Sequence, residues 1–120
     1  MDQYKKQFKV YFGDTDAAGV VHHARYIYWL EATRIDFLDD IGCPYVDFVN
    51  EGYGFVPVDL HIQYKKSLVF AQTFDVVLSL KHCRKASVIF DCAFMSANEL
   101  YATSTIKLAC INQQKQFPTK

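Results

Sequence analysis

The sequence predicts an α+β domain in which one curved antiparallel sheet wraps around one long apolar helix. The hydrophobic period is two near the N-terminus, becomes helical between Gly19 and Gly42, and returns to two from Val56 onward. The later connections are short, and short connections join antiparallel neighbours. With 120 residues, of which 51% are hydrophobic and 16% aromatic, the chain can form the core of a single domain over residues 1–120.

The first predicted element is a strand from Phe8 to Phe12, because Phe8, Val10 and Phe12 share one face. The residues that follow, Gly13 to Gly19, are mostly small or turn-forming and predict a loop. This loop separates the strand from the segment with helical periodicity.

A helix of about four to five turns is predicted between Gly19 and Gly42, because no glycine or proline interrupts that segment. Glu31 and Arg34 fall inside its apolar arc. Their spacing lets them pair, whereas a role of Glu31 beside a substrate is the functional alternative. The apolar stripe consists of Ala24, Ile27, Tyr28, Ile35 and Leu38, widened by Leu30 and Phe37.

The rest of the chain is predicted to be mainly extended. Gly42-Cys43-Pro44 ends the helix, and Tyr45, Phe48 and Val49 have the spacing of a short helical turn. Four strands then form an antiparallel meander, with a turn at Ser96–Glu99 and a frayed tail over Asn112–Lys120. The predicted strands cover about Val56–Tyr64, Val69–Lys81, Ala86–Met95 and Leu100–Ile111.

Charge and targeting features limit the classes of partner. Thirteen Lys and Arg balance thirteen Asp and Glu, so the chain has no overall electrostatic reason to bind nucleic acid or anionic lipid. No apolar run has the length of a signal peptide core or a membrane span. The four cysteines form no C-x-x-C motif, and reduced thiols are expected. These features predict a cytoplasmic protein without a membrane span.

The loop before the helix is where chemistry is expected. Asp14 and Asp16 lie in it, and unpaired N–H groups at a helix start can polarise a carbonyl oxygen. Gly19 would let the backbone approach a ligand closely. A nearby carboxylate could then act on the carbonyl carbon or on a water molecule. The alternative is that both aspartates only form turns.

This loop also carries a family resemblance. Residues 11–26 read YFGDTDAAGVVHHARY and residues 29–34 read WLEATR. Both runs are similar to the signature of the 4-hydroxybenzoyl-CoA thioesterase family, especially to its YbgC-type acyl-CoA thioesterases. The resemblance is strong over about Phe8–Leu38 and weaker but co-linear over Phe55–Tyr64 and Arg84–Phe90. The stretch Ser67–Gln72 departs from the family pattern and is interpreted as loop variation.

The resemblance implies a hot-dog fold and a homodimer or homotetramer with active sites at the subunit interface. It implies that Asp16 is the catalytic aspartate, acting as a nucleophile or as a general base on water. The backbone N–H near His23 is implied as the donor to the thioester carbonyl. The substrate-binding positions around it are Gly19, Val20, Val21 and His22.

The resemblance also implies that Arg84, Lys85 and Ser87 bind the phosphates or pantetheine of coenzyme A, although a solvated strand end is the structural alternative. Lys65-Lys66 is a second, lower-ranked basic cluster. No metal is expected, because the adjacent His22 and His23 would point about 100° apart on a helix, and His61 and His82 have no spaced partners. No other cofactor is expected, since coenzyme A is part of the substrate.

The predicted function is hydrolysis of an acyl-CoA thioester to a free acid and coenzyme A. A hot-dog domain that binds acyl-CoA or acyl carrier protein without turnover is the alternative, and Asp16 discriminates because pure binding needs no carboxylate at the carbonyl. A hot-dog dehydratase is disfavoured, since such proteins use an Asp/His pair in another motif. The acyl group stays open.

Overall fold

The computed structural model describes residues 3–112 and 117–118. A 3-10 turn at Phe12–Asp14 separates the first strand from the long helix, and most of the remaining chain is extended. The helices and strands are β1 Tyr4–Lys9, α1 His23–Asp40, α2 Tyr45–Asn50, β2 Tyr53–Tyr64, β3 Thr73–Cys83, β4 Ser87–Ser96, β5 Glu99–Asn112 and β6 Phe117–Pro118.

The strands form one antiparallel sheet in the order β1-β3-β4-β5-β2, and β6 pairs with β5. The buried side chains of α1 pack against the inner face of this sheet. The predicted α+β class, with an antiparallel sheet around one long helix, is therefore confirmed. The tail was expected to be frayed, but Phe117 and Pro118 pair with Asn112 and Ile111; its other residues from 113 onward lie outside the described part.

The predicted meander is right for β3, β4 and β5 and wrong for β2. Strand β2 pairs with β5, from Tyr53 opposite Asn112 to Tyr64 opposite Ala102. The eight residues 65–72 connect it to β3. Crossing three strand spacings requires about 14 Å, and eight residues span up to roughly 26 Å. A connection of this length is therefore sufficient to cross the end of the sheet.

The first strand lies earlier than predicted. Its pairing with β3 runs from Tyr4 opposite Leu78 to Lys9 opposite Thr73. The chain then turns at residues 12–14, which leaves the Phe12 side chain 76% exposed. The alternation of Phe8, Val10 and Phe12 therefore does not continue along one strand, because the 3-10 turn changes the direction of the last side chain.

Helix α1 confirms the predicted length, since its 18 residues make five turns. Its apolar stripe, however, does not face the sheet as expected: Ala24, Ile27 and Tyr28 are exposed. The buried face carries bulkier side chains and runs through Tyr26, Trp29, Leu30 and Thr33. The N-terminal half of α1 is apolar on two sides, and periodicity alone did not reveal which side the sheet covers.

Aromatic packing fixes α1 on the sheet. The ring centroids of Trp29 and Phe74 lie 4.6 Å apart, and those of Tyr26 and Phe94 lie 5.1 Å apart. Burial of each such side chain stabilises the fold by about 1.5–3 kcal/mol. Within the described residues, neither helix has the length and apolar character required to span a bilayer.

Candidate active site at the start of helix α1

Asp14 holds the entrance to α1 in place. Its side chain is buried, with 7% of the residue exposed. Oδ2 accepts a hydrogen bond of 2.8 Å from the backbone N–H of Tyr11, and Oδ1 lies 2.7 Å from Nε of Arg25. The Asp14 carbonyl accepts the N–H of His22, the residue before the helix, at 3.2 Å. Both carboxylate oxygens of Asp14 therefore have structural partners.

Asp16, two residues later, has a different environment. Its side chain is exposed, and Oδ1 accepts the N–H of Ala18 at 2.8 Å. The backbone N–H of Asp16 donates to the carbonyl of Val20, and that of Gly19 donates to the carbonyl of Asp16. Gly19 has φ +83, a conformation that favours glycine. This tight turn fixes the Asp16 backbone, while Oδ2 has no partner among the described residues.

The first turn of α1 provides hydrogen-bond donors beside this carboxylate. The N–H groups at a helix start have no acceptor within the helix. In residues 3–112, the N–H groups of His23 and Ala24 have no acceptor outside the helix either. The N–H of Arg25, in contrast, donates to the carbonyl of His22 at 3.1 Å. Two adjacent N–H groups are therefore available for an oxygen atom of a ligand.

The 65–72 connection covers this turn from the other side. The N–H of Val21 donates to the carbonyl of Leu68 at 2.9 Å, and Val20 forms a β-bridge with Val69. The stretch Ser67–Gln72, which departs from the family pattern, therefore contacts the site. Sequence analysis treated this stretch as ordinary loop variation, because the contact joins segments almost fifty residues apart.

These elements line an open cavity of about 400 Å³, which we call the N-terminal cavity. It brings together five of the predicted site residues, Asp16, Val20, Val21, His22 and His23; Gly19 shapes the adjacent turn instead. The cavity is also lined by five residues that were not predicted as part of the site or were ranked lower, namely Tyr26, Tyr64, Lys65, Lys66 and Ser67.

Two tyrosines form the aromatic wall of the N-terminal cavity. The rings of His23 and Tyr64 stack with centroids 4.3 Å apart, and Tyr26 meets Tyr64 edge-on at 5.0 Å. Burial raises the pKa of both tyrosines, although a backbone hydrogen bond from Leu68 opposes the shift at Tyr26. Their hydroxyls therefore stay protonated at neutral pH. In the sequence, the only signal for Tyr64 is that it is the last residue of the alternating pattern of β2, which does not indicate a place in the site.

The two lysines of this cavity differ. Nζ of Lys66 lies 2.7 Å from Oε2 of Glu99, and this hydrogen bond raises the pKa of Lys66. Lys65 is exposed and has no ion-pair partner among the described residues. Lys65 is therefore the cation that remains available to an anionic ligand in the N-terminal cavity.

The predicted coenzyme A residues lie elsewhere. Arg84, Lys85 and Ser87 line a second cavity between the C-terminal half of α1 and the sheet, which we call the C-terminal cavity. Glu31 and Arg34 line it as well, so Glu31 does not share the Asp16 cavity. No ion pair within 4.0 Å joins Glu31 to Arg34, although both belong to the described part of the chain.

The described histidines and cysteines are further candidates for metal ligands or nucleophiles. Among the described residues, no group of three His, Cys, Asp or Glu side chains could hold a metal ion. Cys43, Cys83 and Cys92 are free thiols. Burial raises the pKa of Cys92 to about 12, which keeps it from being a thiolate nucleophile at neutral pH.

Comparison with known proteins identifies the family of the chain. A family model for the thioesterase-like superfamily matches residues 10–120. The chain is 29% identical over 111 residues to the acyl-CoA thioesterase YbgC of Haemophilus influenzae, which is 92% of this chain and 82% of that protein. It resembles the solved structure of a gentisyl-coenzyme A thioesterase with a TM-score of 0.90 and 28% identity, over 97% of this chain and 94% of the other.

A further solved structure shows the fold alone. The chain matches a DHNA-CoA thioesterase from Staphylococcus aureus with a TM-score of 0.96 at 24% identity. The match covers 100% of this chain and 81% of that one. The chain therefore has the fold of solved thioesterase structures.

Proposed function

The chain belongs to the thioesterase-like superfamily and has the hot-dog fold, and on this premise we propose that it is an acyl-CoA thioesterase. It hydrolyses an acyl-CoA thioester to a free acid and coenzyme A. The observation that supports this most directly is the uncommitted Oδ2 of Asp16, which shares the N-terminal cavity with the unpaired N–H groups at the start of α1.

The proposed reaction uses these two features together. The thioester carbonyl oxygen accepts a hydrogen bond from the N–H of His23, which stabilises the negative charge that develops there. Asp16 then acts in one of two ways. As a nucleophile it attacks the carbonyl carbon, the C–S bond breaks, and water hydrolyses the resulting anhydride. As a general base it takes a proton from the water that attacks the same carbon, the C–S bond breaks, and the coenzyme A thiolate leaves and takes up that proton.

The remaining residues bind the substrate. Val20, Val21 and His22 line the cavity around the thioester. Arg84, Lys85 and Ser87 bind the coenzyme A portion, as the family resemblance implies. Because these three residues lie at the opposite end of α1 in their own chain, we propose that they act across a subunit interface.

A homo-oligomer is therefore part of the proposal. One side of α1, formed by Ala24, Ile27 and Tyr28, is apolar and exposed, and contact with a second copy of the chain would bury it. Strand β2 is a 12-residue edge strand that can pair with the same strand of another copy. We expect a dimer or tetramer at micromolar concentration in light scattering. A fully active monomer would contradict a shared site. That the reaction needs no metal or cofactor, and that it takes place in the cytoplasm, stay predictions.

The function is tested with purified protein and a panel of acyl-CoA thioesters with short, long and aromatic acyl groups, together with acyl carrier protein thioesters. Thiol release reports turnover, and equilibrium binding of the same compounds reports affinity. The proposal expects turnover of at least one acyl-CoA. Tight binding of acyl-CoA without thiol release would instead identify the non-catalytic binding module.

A further inference from the structure

The C-terminal cavity has a volume of about 340 Å³, within the range of roughly 300–1,000 Å³ of small-molecule sites. It shares no lining residue with the N-terminal cavity. Most of its walls are apolar side chains from the last turns of α1 and from the strands beneath, including Phe37, Leu38, Leu80, Val88, Phe90 and Leu108.

Arg34 is the unusual member of this cavity. It is half-buried on the inner side of α1, and burial lowers the pKa of its guanidinium, with Glu31 opposing that shift. Arginine stays protonated in proteins, so the charge remains. Among the described residues Arg34 has no ion pair within 4.0 Å and donates no hydrogen bond. A cation that is partly removed from water without a close ion pair is stabilised when a ligand supplies an anion.

The other charges around the C-terminal cavity are predominantly positive. Arg84 and Lys85 are exposed lining residues, and among the described residues that line the cavity Glu31 is the only acidic one. Three cations therefore face one carboxylate. Apolar walls with a positive excess favour an anion with an apolar body over a neutral or cationic ligand.

We propose that the C-terminal cavity binds an apolar carboxylic acid in its anionic form. Its carboxylate pairs with the guanidinium of Arg34, whose planar fork matches a carboxylate, and its hydrocarbon or aromatic body packs between α1 and the sheet. The cavity contains neither Asp16 nor the N–H groups at the helix start, so this ligand is placed beside the proposed coenzyme A contacts of Arg84, Lys85 and Ser87 and not at the reacting thioester. Failure of octanoate to bind would therefore leave the proposed hydrolysis intact.

The test uses the full chain with leucine and valine methyl groups labelled for NMR. Octanoate is titrated alongside octan-1-ol and octylammonium, which share its chain but not its charge. We expect saturable shifts of the Leu38, Leu80 and Leu108 methyls with octanoate and unchanged methyls of Val20 and Val21. Octan-1-ol should bind at least about tenfold more weakly, since it lacks the charge-assisted pair, and octylammonium should cause no shift in the cavity.

Arg34→Met removes the charge and keeps a side chain of similar length. It should weaken octanoate binding at least about tenfold and leave octan-1-ol binding within about twofold, because only the ion pair is lost. Lys81→Met is the matched control, since it removes an exposed cation that does not line the cavity, and it should leave both affinities within about twofold.

Several results would overturn the proposal. These are equal affinity for octanoate and octan-1-ol, octanoate shifts confined to Val20 and Val21, and unchanged octanoate binding in Arg34→Met. The absence of any saturable shift would also overturn it, as would a second copy of the chain occupying the cavity. If Arg34→Met does not fold, the comparison of the three ligands on the unsubstituted chain decides.

Discussion

The two ends of helix α1 have cavities of similar volume, about 400 and 340 Å³, but opposite character. At the N-terminal end, an exposed carboxylate and unpaired N–H groups meet in an open, polar space. At the C-terminal end, apolar side chains surround the cation of Arg34, which has no ion pair within 4.0 Å among the described residues. The helix itself contributes to this difference, because its N-terminus presents donors and its C-terminus presents acceptors.

This comparison explains why a reaction is expected at only one end. Oxyanion stabilisation needs free donors, and the described residues provide them at His23 and Ala24. The C-terminal cavity has cations that can bind an anion, but its carboxylate, Glu31, has no helix-start N–H groups beside it that could stabilise an oxyanion. The following predictions test this difference, starting with the largest expected effect.

Asp16→Asn should lower kcat on acyl-CoA by about two to four orders of magnitude, as expected for a lost nucleophile or general base. The asparagine side chain retains an oxygen that can accept the N–H of Ala18, so the turn is preserved. Steady-state thiol release measures the loss, and circular dichroism with thermal unfolding verifies the fold. Residual activity within tenfold of the unsubstituted protein would exclude Asp16 as the reacting group.

Asp14→Asn should mainly change stability. The amide can still accept the N–H of Tyr11, but the partly buried Arg25 loses its counter-charge. Leaving such a group without its partner costs about 1–3 kcal/mol. We expect a lower midpoint in chemical denaturation and a kcat within about tenfold of normal, because Asp14 has no free oxygen for chemistry. Unchanged stability would contradict the structural role of Asp14.

Replacement of Arg84 and Lys85 by alanine should raise KM for acyl-CoA about tenfold and leave kcat nearly unchanged. The reason is that these cations bind the coenzyme A portion equally well in the ground state and in the transition state. The effect should diminish at high salt. An acyl-N-acetylcysteamine, which lacks the nucleotide, should be hydrolysed as before. If this shorter thioester suffers the same loss, the residues are structural, and Lys65 becomes the candidate for the nucleotide.

The smallest expected effect concerns Tyr4, whose hydroxyl donates to Oδ2 of Asp40 at 2.7 Å near the C-terminal end of α1. Burial, together with this hydrogen bond and the charge of Asp40, raises the pKa of Tyr4 to about 12 from its ordinary 10.0. The raised pKa contributes stability below pH 10 that is lost as the pH rises towards 12.

Tyr4→Phe should therefore be less stable than the unsubstituted chain at pH 8, with the difference decreasing between pH 10 and 12. Denaturation midpoints of both proteins, measured across this range, provide the comparison. A constant difference at all pH values would show that ionisation of Tyr4 is not linked to folding.

Sequence analysis predicted what depends on neighbouring residues. The absence of glycine and proline between Gly19 and Gly42 predicted α1, and the period of two predicted most of each long strand. The local motif predicted that Asp16 and His23 would lie together, because only a few residues separate them. These features need no knowledge of distant contacts.

The wrong or missing parts depend on contacts between distant segments. Strand β2 pairs with β5 because the 65–72 connection crosses the sheet end, which no local pattern indicates. The buried side of α1 was misassigned because both of its sides carry apolar residues. Tyr64 ends β2 and Ser67 lies in the connection that follows it, so both reach the site through contacts with a segment distant in sequence. Arg34 was expected to pair with Glu31 because helical spacing permits it.

The central claim is that the two loop aspartates have separate roles, with Asp16 acting on the thioester and Asp14 holding the helix. The most direct measurement is the ratio of kcat for Asp14→Asn to kcat for Asp16→Asn, determined per folded protein on the same acyl-CoA in one thiol-release assay. The account predicts a ratio of at least about 10, and of several hundred if Asp16 supplies the usual contribution of a general base. A ratio near 1 would contradict it.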